Sequence, residues 1–279
     1  MISRIFETTV TNVEEGFWGC LKFILPDSFK KFHPILFLLI VSTESFAQTD
    51  TIFWFAAPEV SYGYANFDKP ILLRIANPGK TSLVTVTQPA NPGFNPIVVS
   101  VAAGSSTTID LTPWLGQIEN APPDKILNYG LMIKATNPVT IYYEVMSTQC
   151  ACNPEIFALK GNNALGNDFF IPMQNFLDNA NYNPTPYSSF DIVATEDGTR
   201  ISIFPSNDVV GHQAKNPFVI ILNKGQTYSA TAVSQSASKH LDGSRVSADK
   251  PIAITIKDDL MFGAPFGGGC ADLGGDQLI

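Results

Sequence analysis

The sequence predicts an all-β protein built from tandem antiparallel β-sandwich-like units. Three observations favour this fold class: a composition rich in aromatic and turn-forming residues, many short apolar segments separated by turn signals, and an internal repeat of those segments. Aromatic and β-branched side chains fit pleated surfaces, whereas Gly and Pro supply the turns between strands. Short strands at close, even spacing are typical of a sandwich rather than of a parallel α/β fold.

The composition limits the function classes. Of the 279 residues, 45% are hydrophobic and only 15% are charged, and the chain contains 20 Phe, 20 Gly and 20 Pro. This length is enough for one or two domains with a hydrophobic core. The formal net charge is −8, and no basic stripe could neutralise phosphates, so we expect no nucleic acid partner.

The segment from Lys30 to Ala47 has the pattern of a signal peptide. Two lysines precede the apolar residues 34–41 (PILFLLIV), and small residues at positions 45 and 47 place the cleavage before Gln48. The apolar run is much shorter than the roughly 20 residues that span a bilayer, so no transmembrane span is predicted. Residues 1–29 precede the usual start of such a signal and are interpreted as a doubtful leader or a misassigned start.

Removal of the signal leaves three cysteines. Cys150, Cys152 and Cys270 are the disulfide candidates, and an odd number in an exported protein implies a free thiol or a partner elsewhere. Cys150 and Cys152 are too close in sequence to pair comfortably, so either could pair with Cys270, and Cys270 could also pair with a cysteine beyond Ile279. The Cys-x-Cys pattern has no His or second cysteine pair at ligand spacing, so no metal site is predicted there.

Two stretches of the chain have matching counterparts further along. Residues 95–111 (NPIVVSVAAGSSTTIDL) align without a gap with residues 216–232 (NPFVIILNKGQTYSATA). Residues 130–143 (GLMIKATNPVTIYY) align with residues 243–256 (GSRVSADKPIAITI), which leaves extra residues in the first copy around 119–125. We interpret the two matches as a duplicated unit, with residues 48–165 as the first β unit and residues 166–279 as the second.

Each unit is predicted to consist of hairpins. In the second unit, three are expected: residues 190–195 with 199–205 across Glu196-Asp197-Gly198, residues 218–222 with 227–232, and residues 245–248 with 252–256. A further match upstream aligns residues 71–76 (ILLRIA) with residues 190–195 (FDIVAT), so that Ile71 of the first unit corresponds to Phe190 of the second. A propeller or barrel of the same hairpins is the alternative, because repetition alone does not distinguish these closures. Residues 173–180 are the best candidate for a helix, and they are few.

Several segments of the mature chain resemble one known family. They are residues 166–172 (GNDFFIP), 190–203 (FDIVATEDGTRISI), 222–228 (LNKGQTY) and 241–254 (LDGSRVSADKPIAI), followed by a cysteine-bearing loop and a final Asp-Gln-Leu-Ile. The chain from Thr51 to Ile279 resembles the IgGFc-binding protein N-terminal domain family, which Bacteroidetes-type surface proteins and an animal mucus protein carry.

The resemblance implies a binding domain with a protein or glycoprotein partner and no catalytic residues. Because relatives continue into further repeats, it also implies that the chain is an N-terminal fragment whose second unit continues beyond Ile279. Animal members have two cysteines in the final loop, whereas this chain has Cys270 alone, which puts a local bridge in doubt.

The search for catalytic residues supports a non-enzymatic function. His212 and His240 lie in polar stretches outside nucleophile and zinc-protease motifs and are interpreted as solvated loop residues. Glu196 and Asp197 are adjacent acids in a turn, where they point apart instead of facing each other across a sugar bond. We therefore expect no enzymatic activity and no resident cofactor.

Calcium is the one ion that the sequence leaves open. Asp258, Asp259, Asp272 and Asp276 lie close in sequence to Gly-rich segments, and Ca²⁺ takes oxygen ligands from flexible loops. The spaced D-x-D-x-D-G pattern of a calcium loop is not among them.

Exposed tyrosines are the predicted ligand-binding residues. Tyr62 and Tyr64 flank a glycine, and Tyr182 and Tyr187 lie in an Asn/Pro-rich loop. Tyrosine buries a large area on binding at a low cost in conformational entropy. Trp54, by contrast, is expected to fill the core.

These observations predict a secreted or outer-cell-surface module for adhesion or recognition. Its partner would be a protein or glycan ligand on host or neighbouring cells. Two alternatives stay open: a structural spacer of a surface stalk, and an accessory module of a secreted hydrolase.

Overall fold

The computed structural model describes residues 48–150, 153–263 and 271–279. The predicted signal peptide, the leader before it, Cys152 and Cys270 lie outside the described residues. The described chain is almost entirely β structure, and its helical segments are the short 3₁₀ helices Thr112–Gln117, Gly161–Ala164 and Ala237–Lys239. Residues 173–180 form no helix. The predicted all-β class is therefore confirmed.

The first half of the chain supplies the strands Asp50–Phe55 (β1), Ile71–Asn77 (β2), Ser82–Thr87 (β3), Ile97–Val101 (β4), Ser105–Asp110 (β5), Ile126–Leu127 (β6), Leu131–Val145 (β7) and Glu155–Leu159 (β8). All except β6 form a 7-stranded antiparallel sheet, the N-terminal sheet, around the long strand β7. Strands β1 and β3 pair with the first part of β7, whereas β2 and β8 pair with its second part. Strand β4 extends the sheet beyond β3, and β5 extends it beyond β2.

The second half supplies the strands Gly166–Phe170 (β9), Asp178–Asn179 (β10), Ser188–Ala194 (β11), Thr199–Phe204 (β12), Phe218–Leu222 (β13), Thr227–Thr231 (β14), Arg245–Phe262 (β15) and Asp272–Gln277 (β16). They form the C-terminal sheet around β15, and β6 joins this sheet at the edge of β14. Strands β9 and β12 pair with the first part of β15, whereas β11, β16 and β10 pair with its later part.

Each sheet folds over its own hydrophobic core and nearly closes into a barrel. Alternate residues point inward, as the burial of Ile71, Leu73 and Ile75 along β2 shows. These side chains face those from the other half of the sheet, including Val84 and Ile133, in one apolar cluster. A second cluster fills the C-terminal sheet in the same way. The predicted pair of sandwich-like antiparallel units is confirmed.

The predicted hairpins are wrong in their pairing, although their strands exist. Strand β11 pairs with β14 and β15, and β12 pairs with β13 and β15, so the turn at residues 196–198 carries the chain from one half of the folded sheet to the other. Strands β13 and β14 are likewise not partners. Residues 245–256 belong to the single strand β15. The error arises because the same turn residues can connect two strands that pair with each other or two strands that lie in different halves of the folded sheet.

The two sheets have the same topology and the same registers. Strand orders β4-β3-β7-β2-β5 and β13-β12-β15-β11-β14 correspond one to one, and β1 and β8 correspond to β9 and β16. Ile75 pairs with Ile141 in one sheet, and Ile192 pairs with Ile254 in the other. Ile75 therefore corresponds to Ile192, so that Leu73, rather than Ile71, takes the position of Phe190. Origin by duplication stays a prediction, which this likeness supports.

The extra residues of the first half contact the C-terminal sheet. The Asp124 backbone N–H donates to Ser229 O at 3.1 Å, and the Tyr228 hydroxyl donates to Asp124 Oδ1 at 2.8 Å. Strand β6 follows directly and pairs with β14. Residues 47–279 consequently form one compact unit. In the part of the chain that the structure describes, no helix has the length and apolarity needed to cross a membrane.

Candidate functional site

Three aromatic rings from two distant loops meet at the surface, and we call Tyr64, Phe67 and Tyr182 the aromatic cluster. The Tyr64 and Tyr182 rings stack with centroids 5.8 Å apart, and both rings meet the edge or face of Phe67 at 5.5 and 5.6 Å. Phe67 is buried, whereas Tyr64 is 76% exposed. The cluster thus has a buried base and an exposed tyrosine surface.

The loop that carries Tyr64 is fixed by its own backbone. The Phe67 N–H donates to Tyr62 O at 3.0 Å, which closes a tight turn. Gly63 lies inside this turn at φ +49°, where a Cβ atom would collide with the Phe67 ring. Tyr62 itself is 48% exposed. The Ser61 hydroxyl ties the loop to its neighbour by donating to Pro184 O at 2.5 Å.

Asp259 anchors these loops from below. Its carboxylate accepts the Ser61 backbone N–H at 2.7 Å and the Asn153 side-chain amide at 3.2 Å. Burial raises the pKa of Asp259 to about 6, although the positive charge of Lys257 and the two donated hydrogen bonds act against the rise. Because Asp259 lies on β15, it attaches the loops of the N-terminal sheet to the central strand of the C-terminal sheet.

A second buried network attaches the loop that leads to Tyr182. Asn179 Nδ2 donates to Asp258 Oδ1 at 2.7 Å and to Asp259 O at 2.6 Å. Asp258 Oδ2 lies 3.0 Å from His240 Nδ1 and also accepts from the Gln174 amide at 2.6 Å. Burial opposes the charged form of His240, but the hydrogen bond and charge of Asp258 outweigh it, so that the pKa of His240 is raised.

Lys257 lies at the centre of a buried group of charges. It is 2% exposed, and its Nζ donates to Glu59 O at 2.7 Å. Burial disfavours its charged form, but the negative charges of Asp259, Glu59, Asp191 and Glu119 prevail and raise the pKa of Lys257. The charge group therefore lies where the N-terminal sheet and its loops cover β11 and β15.

The predicted ligand-binding tyrosines are only partly brought together. Tyr64 and Tyr182, more than a hundred positions apart in the chain, are stacked, which the sequence could not indicate. Tyr62 lies two residues before Tyr64 in the same loop, and among the residues that the structure describes no ring contact links it to the cluster. Tyr187 is half-buried, and no ring contact in the described residues joins it to the aromatic cluster. Phe67 was missed; the signal available was its place three residues after Tyr64 in an aromatic-rich loop.

The predicted solvated histidines have defined partners. His240 is 1% exposed, so its interpretation as a solvated loop residue is wrong: the Asp258 carboxylate compensates its burial. His212 stacks on Phe218 with centroids 3.5 Å apart, and its Nε2 lies 3.2 Å from Asp124 Oδ1. The two histidines thus belong to separate networks, and neither is brought against a serine nucleophile by any contact described here.

The acids considered for calcium lie in strands. Asp258 and Asp259 are buried in β15, where amide donors occupy their oxygens, and Asp272 and Asp276 belong to β16. Among the described residues, no group of three or more His, Cys, Asp or Glu side chains is arranged to hold a metal ion. Calcium binding by these residues stays a prediction.

One predicted disulfide candidate can be placed. Cys150 is half-buried, packs beside the base of the aromatic cluster and takes part in a disulfide. The other cysteines of the chain lie outside the described residues. The disulfide therefore restrains the loop after β7. The side chain of Asn153, in the same loop, donates a hydrogen bond to Asp259.

The structure is an all-β fold in which an aromatic surface is held on loops above a buried polar network. Residues 157–279, which include the whole C-terminal sheet except β6, match the family model described as IgGFc binding protein. Tyr182 lies within the matched residues, and Tyr64 lies before them. No curated protein matches the chain, and no solved structure matches it.

Proposed function

We propose that this chain is an extracellular recognition module that binds a protein or glycoprotein ligand through the aromatic cluster. The observation that carries the proposal is the stacking of the exposed Tyr64 on the half-buried Tyr182, both on anchored loops, in a chain whose second half matches a binding-protein family. The ligand would lie on host or neighbouring cells, and glycans are part of the ligand class.

The physical argument rests on preorganisation. A tyrosine presents a large apolar face with a polar tip and loses few rotatable bonds on binding. Tyr64 and Tyr182 already support each other, and their loops are held by Asp259 and Asn179. Binding therefore costs little loop ordering, which is the term that usually reduces the affinity of loop-borne surfaces.

The proposed location is the cell exterior. Residues 30–47 have the signal-peptide pattern. The disulfide at Cys150 is consistent with an oxidising compartment, because such bonds persist outside the cytosol. Adhesion at a cell surface is the role that suits a recognition module of this composition.

The test is a binding measurement on immobilised glycoproteins, among them IgG Fc and a mucin. We expect Tyr64→Ala and Tyr182→Ala each to weaken binding by about tenfold or more, as loss of an aromatic anchor does. Val98→Ala is the control, since Val98 is 53% exposed on β4 and is not part of the aromatic cluster.

Two results would overturn the proposal. One is unchanged binding by both cluster variants, and the other is equal weakening by the Val98 control. Absence of binding to every glycoprotein tested would favour the spacer role instead.

A further inference from the structure

The contact between the two sheets has two dissimilar sides. The N-terminal sheet contributes the outward face of β1 and β7. There Trp54 and Met132 pack against Val193 and Ala253 of the C-terminal sheet. At its edge, the Gly130 N–H donates to Gly225 O at 3.1 Å. The contact is therefore heterologous: a β1–β7 face on one sheet receives a β11–β14–β15 face of the other.

The C-terminal sheet carries its own copy of the receiving face. Trp54 pairs with Met132 in β1 and β7, and Phe170 pairs with Arg245 in the equivalent strands β9 and β15. This second receiving face is uncovered, with Phe170 69% exposed and Phe204 42% exposed. It forms a groove of 530 Å³ lined by Phe170, Ser202, Phe204, Pro217, Gly243 and Arg245 among others.

The N-terminal sheet likewise carries a copy of the inserted face. By the shared registers, Ala76 corresponds to Val193, Thr140 corresponds to Ala253 and Gly104 to Gly225. These residues line a second groove of 510 Å³, together with Ser105, Ser106 and Tyr142. The two grooves are thus the unused halves of the contact that already joins the two sheets, and they lie on different sheets.

We propose that copies of this chain associate head to tail, the groove at Phe170 of one copy receiving the groove face at Ala76 of the next. The geometry of the internal contact is the template, and its repetition between copies would continue the same arrangement of sheets. A heterologous contact of this kind does not close on itself unless its rotation permits a ring, so it produces open chains.

The exposed apolar surface favours the association, whereas the net charge opposes it. Phe170 and Phe204 place exposed apolar rings in a groove, which is typical of contact surfaces. The net charge of −8 repels like copies over long range. Salt at about 0.15 M screens such repulsion beyond about 8 Å. We therefore expect association to strengthen as the salt concentration rises.

The first measurement is sedimentation velocity of residues 47–279, which form one compact unit, with the full chain run in parallel. We expect the average mass to rise with concentration and with salt. The groove variant Phe170→Asp with Phe204→Asp, and separately the face variant Ala76→Glu with Ser106→Glu, should each lose this rise. Both variants receive acidic side chains so that the two altered surfaces cannot attract each other.

The decisive measurement mixes the two variants. Each retains one intact side of the contact, so an equimolar mixture should form a dimer and nothing larger. Val98→Asp is the matched control, because Val98 is 53% exposed and lines neither groove. It should associate as the unchanged chain does.

Three results would overturn the proposal: a monomer at every concentration and salt, association that both double variants retain, or a mixture that fails to form the dimer. Melting temperatures of the variants within a few degrees of the parent establish that a lost association is not a loss of folding. Ligand binding through Tyr64 is measured on the same samples, so failure of either proposal is seen separately.

Discussion

The outer faces of β2 with β7 and of β11 with β15 place charged pairs at equivalent positions in opposite surroundings. On the N-terminal sheet, Arg74 Nε donates to Glu144 Oε2 at 2.5 Å, and the side chains are 46% and 16% exposed. By register, Asp191 and Lys257 take these positions in the C-terminal sheet, with the signs reversed and both side chains buried. One backbone frame thus carries a surface ion pair and a buried charge group.

The difference shows that the contact between the sheets, rather than the position in the strand, determines whether a charged side chain is exposed or buried. A pair open to water gains little, because solvent and salt screen it. A buried charge depends on its partners, since removal of one leaves the others desolvated. The predictions below test this contrast by changing equivalent residues in the two sheets.

The largest effect is expected at Lys257. Lys257→Met removes the positive charge that compensates Asp191 and Asp259, and should lower the free energy of unfolding by about 3–5 kcal/mol. Arg74→Met, its counterpart on the exposed face, should cost about 1 kcal/mol or less. Urea denaturation of both variants measures the two values, and similar losses would contradict the contrast.

Trp54 and Phe170 form the next pair. Trp54 is 6% exposed within the contact between the sheets, so Trp54→Ala should cost about 3 kcal/mol through lost burial and a cavity. Phe170 is 69% exposed, and Phe170→Ala should change stability by about 0.5 kcal/mol or less. Thermal unfolding at low protein concentration compares them. A large loss at Phe170 would show that its face is covered within the monomer.

A pH dependence is expected from Asp191. Burial raises its pKa from 3.8 to about 7, against the influence of Lys257 and the hydrogen bonds of two serines. Since the folded pKa lies above the unfolded value, the stabilising contribution is complete below about pH 4 and is lost as the pH rises through 7.

Asp191→Asn should therefore flatten the fall in unfolding free energy between pH 4 and 7, by about 3 kcal/mol. Denaturation curves at intervals across this range measure the slope of each protein. Asp259, whose pKa is raised to about 6, contributes in the same direction and remains in the variant. Parallel pH profiles for the parent and the variant would show that Asp191 does not titrate there.

The smallest effect is expected at the glycines on the edge of the contact. A Cβ on Gly130 would lie 2.6 Å from Gly225 O and from Val193 Cγ2, so Gly130→Ala should cost about 2 kcal/mol. Its counterpart Gly243 has φ +76° and open space around it, so Gly243→Ala should cost about 1 kcal/mol from backbone strain alone. Equal losses of unfolding free energy would mean that the atoms around Gly130 shift to accommodate a methyl group at little cost.

The fold class could be predicted from sequence because it depends on local signals. Alternation such as that of Ile201 and Ile203 places strands, and Glu196-Asp197-Gly198 places a turn. Pairing could not be predicted, because the partner of β11 is β15, and no local signal distinguishes that partner from β12. The similarity of the two halves was visible in the sequence. Which residues of β2 and β11 correspond became clear only from the pairing of each strand with β7 or β15.

The candidate site was predicted in part for the same reason. Tyr64 and Tyr182 were predicted because each lies in a loop with the composition of a binding surface, whereas their stacking depends on a contact between residues far apart in the chain.

Asp258 and Asp259 were considered as calcium ligands, and Lys257 was missed, although the three charges interrupt an apolar strand. Lys257 and Asp259 contact loops of the N-terminal half, whereas Asp258 contacts Asn179 and His240 of its own half. Sequence patterns do not reveal such long-range contacts.

The central strands have a consequence for the order of folding. Strand β7 holds both halves of its sheet together, yet its residues follow β1 to β5 in the chain. Strand β3 can pair with β4, and β2 with β5, before β7 is present. The two halves of the sheet are joined only through β7, and the loop entropy of bringing β1 to β7 opposes this late step. The same delay recurs at β15, so that the protein should reach its native state slowly, through two successive late closures.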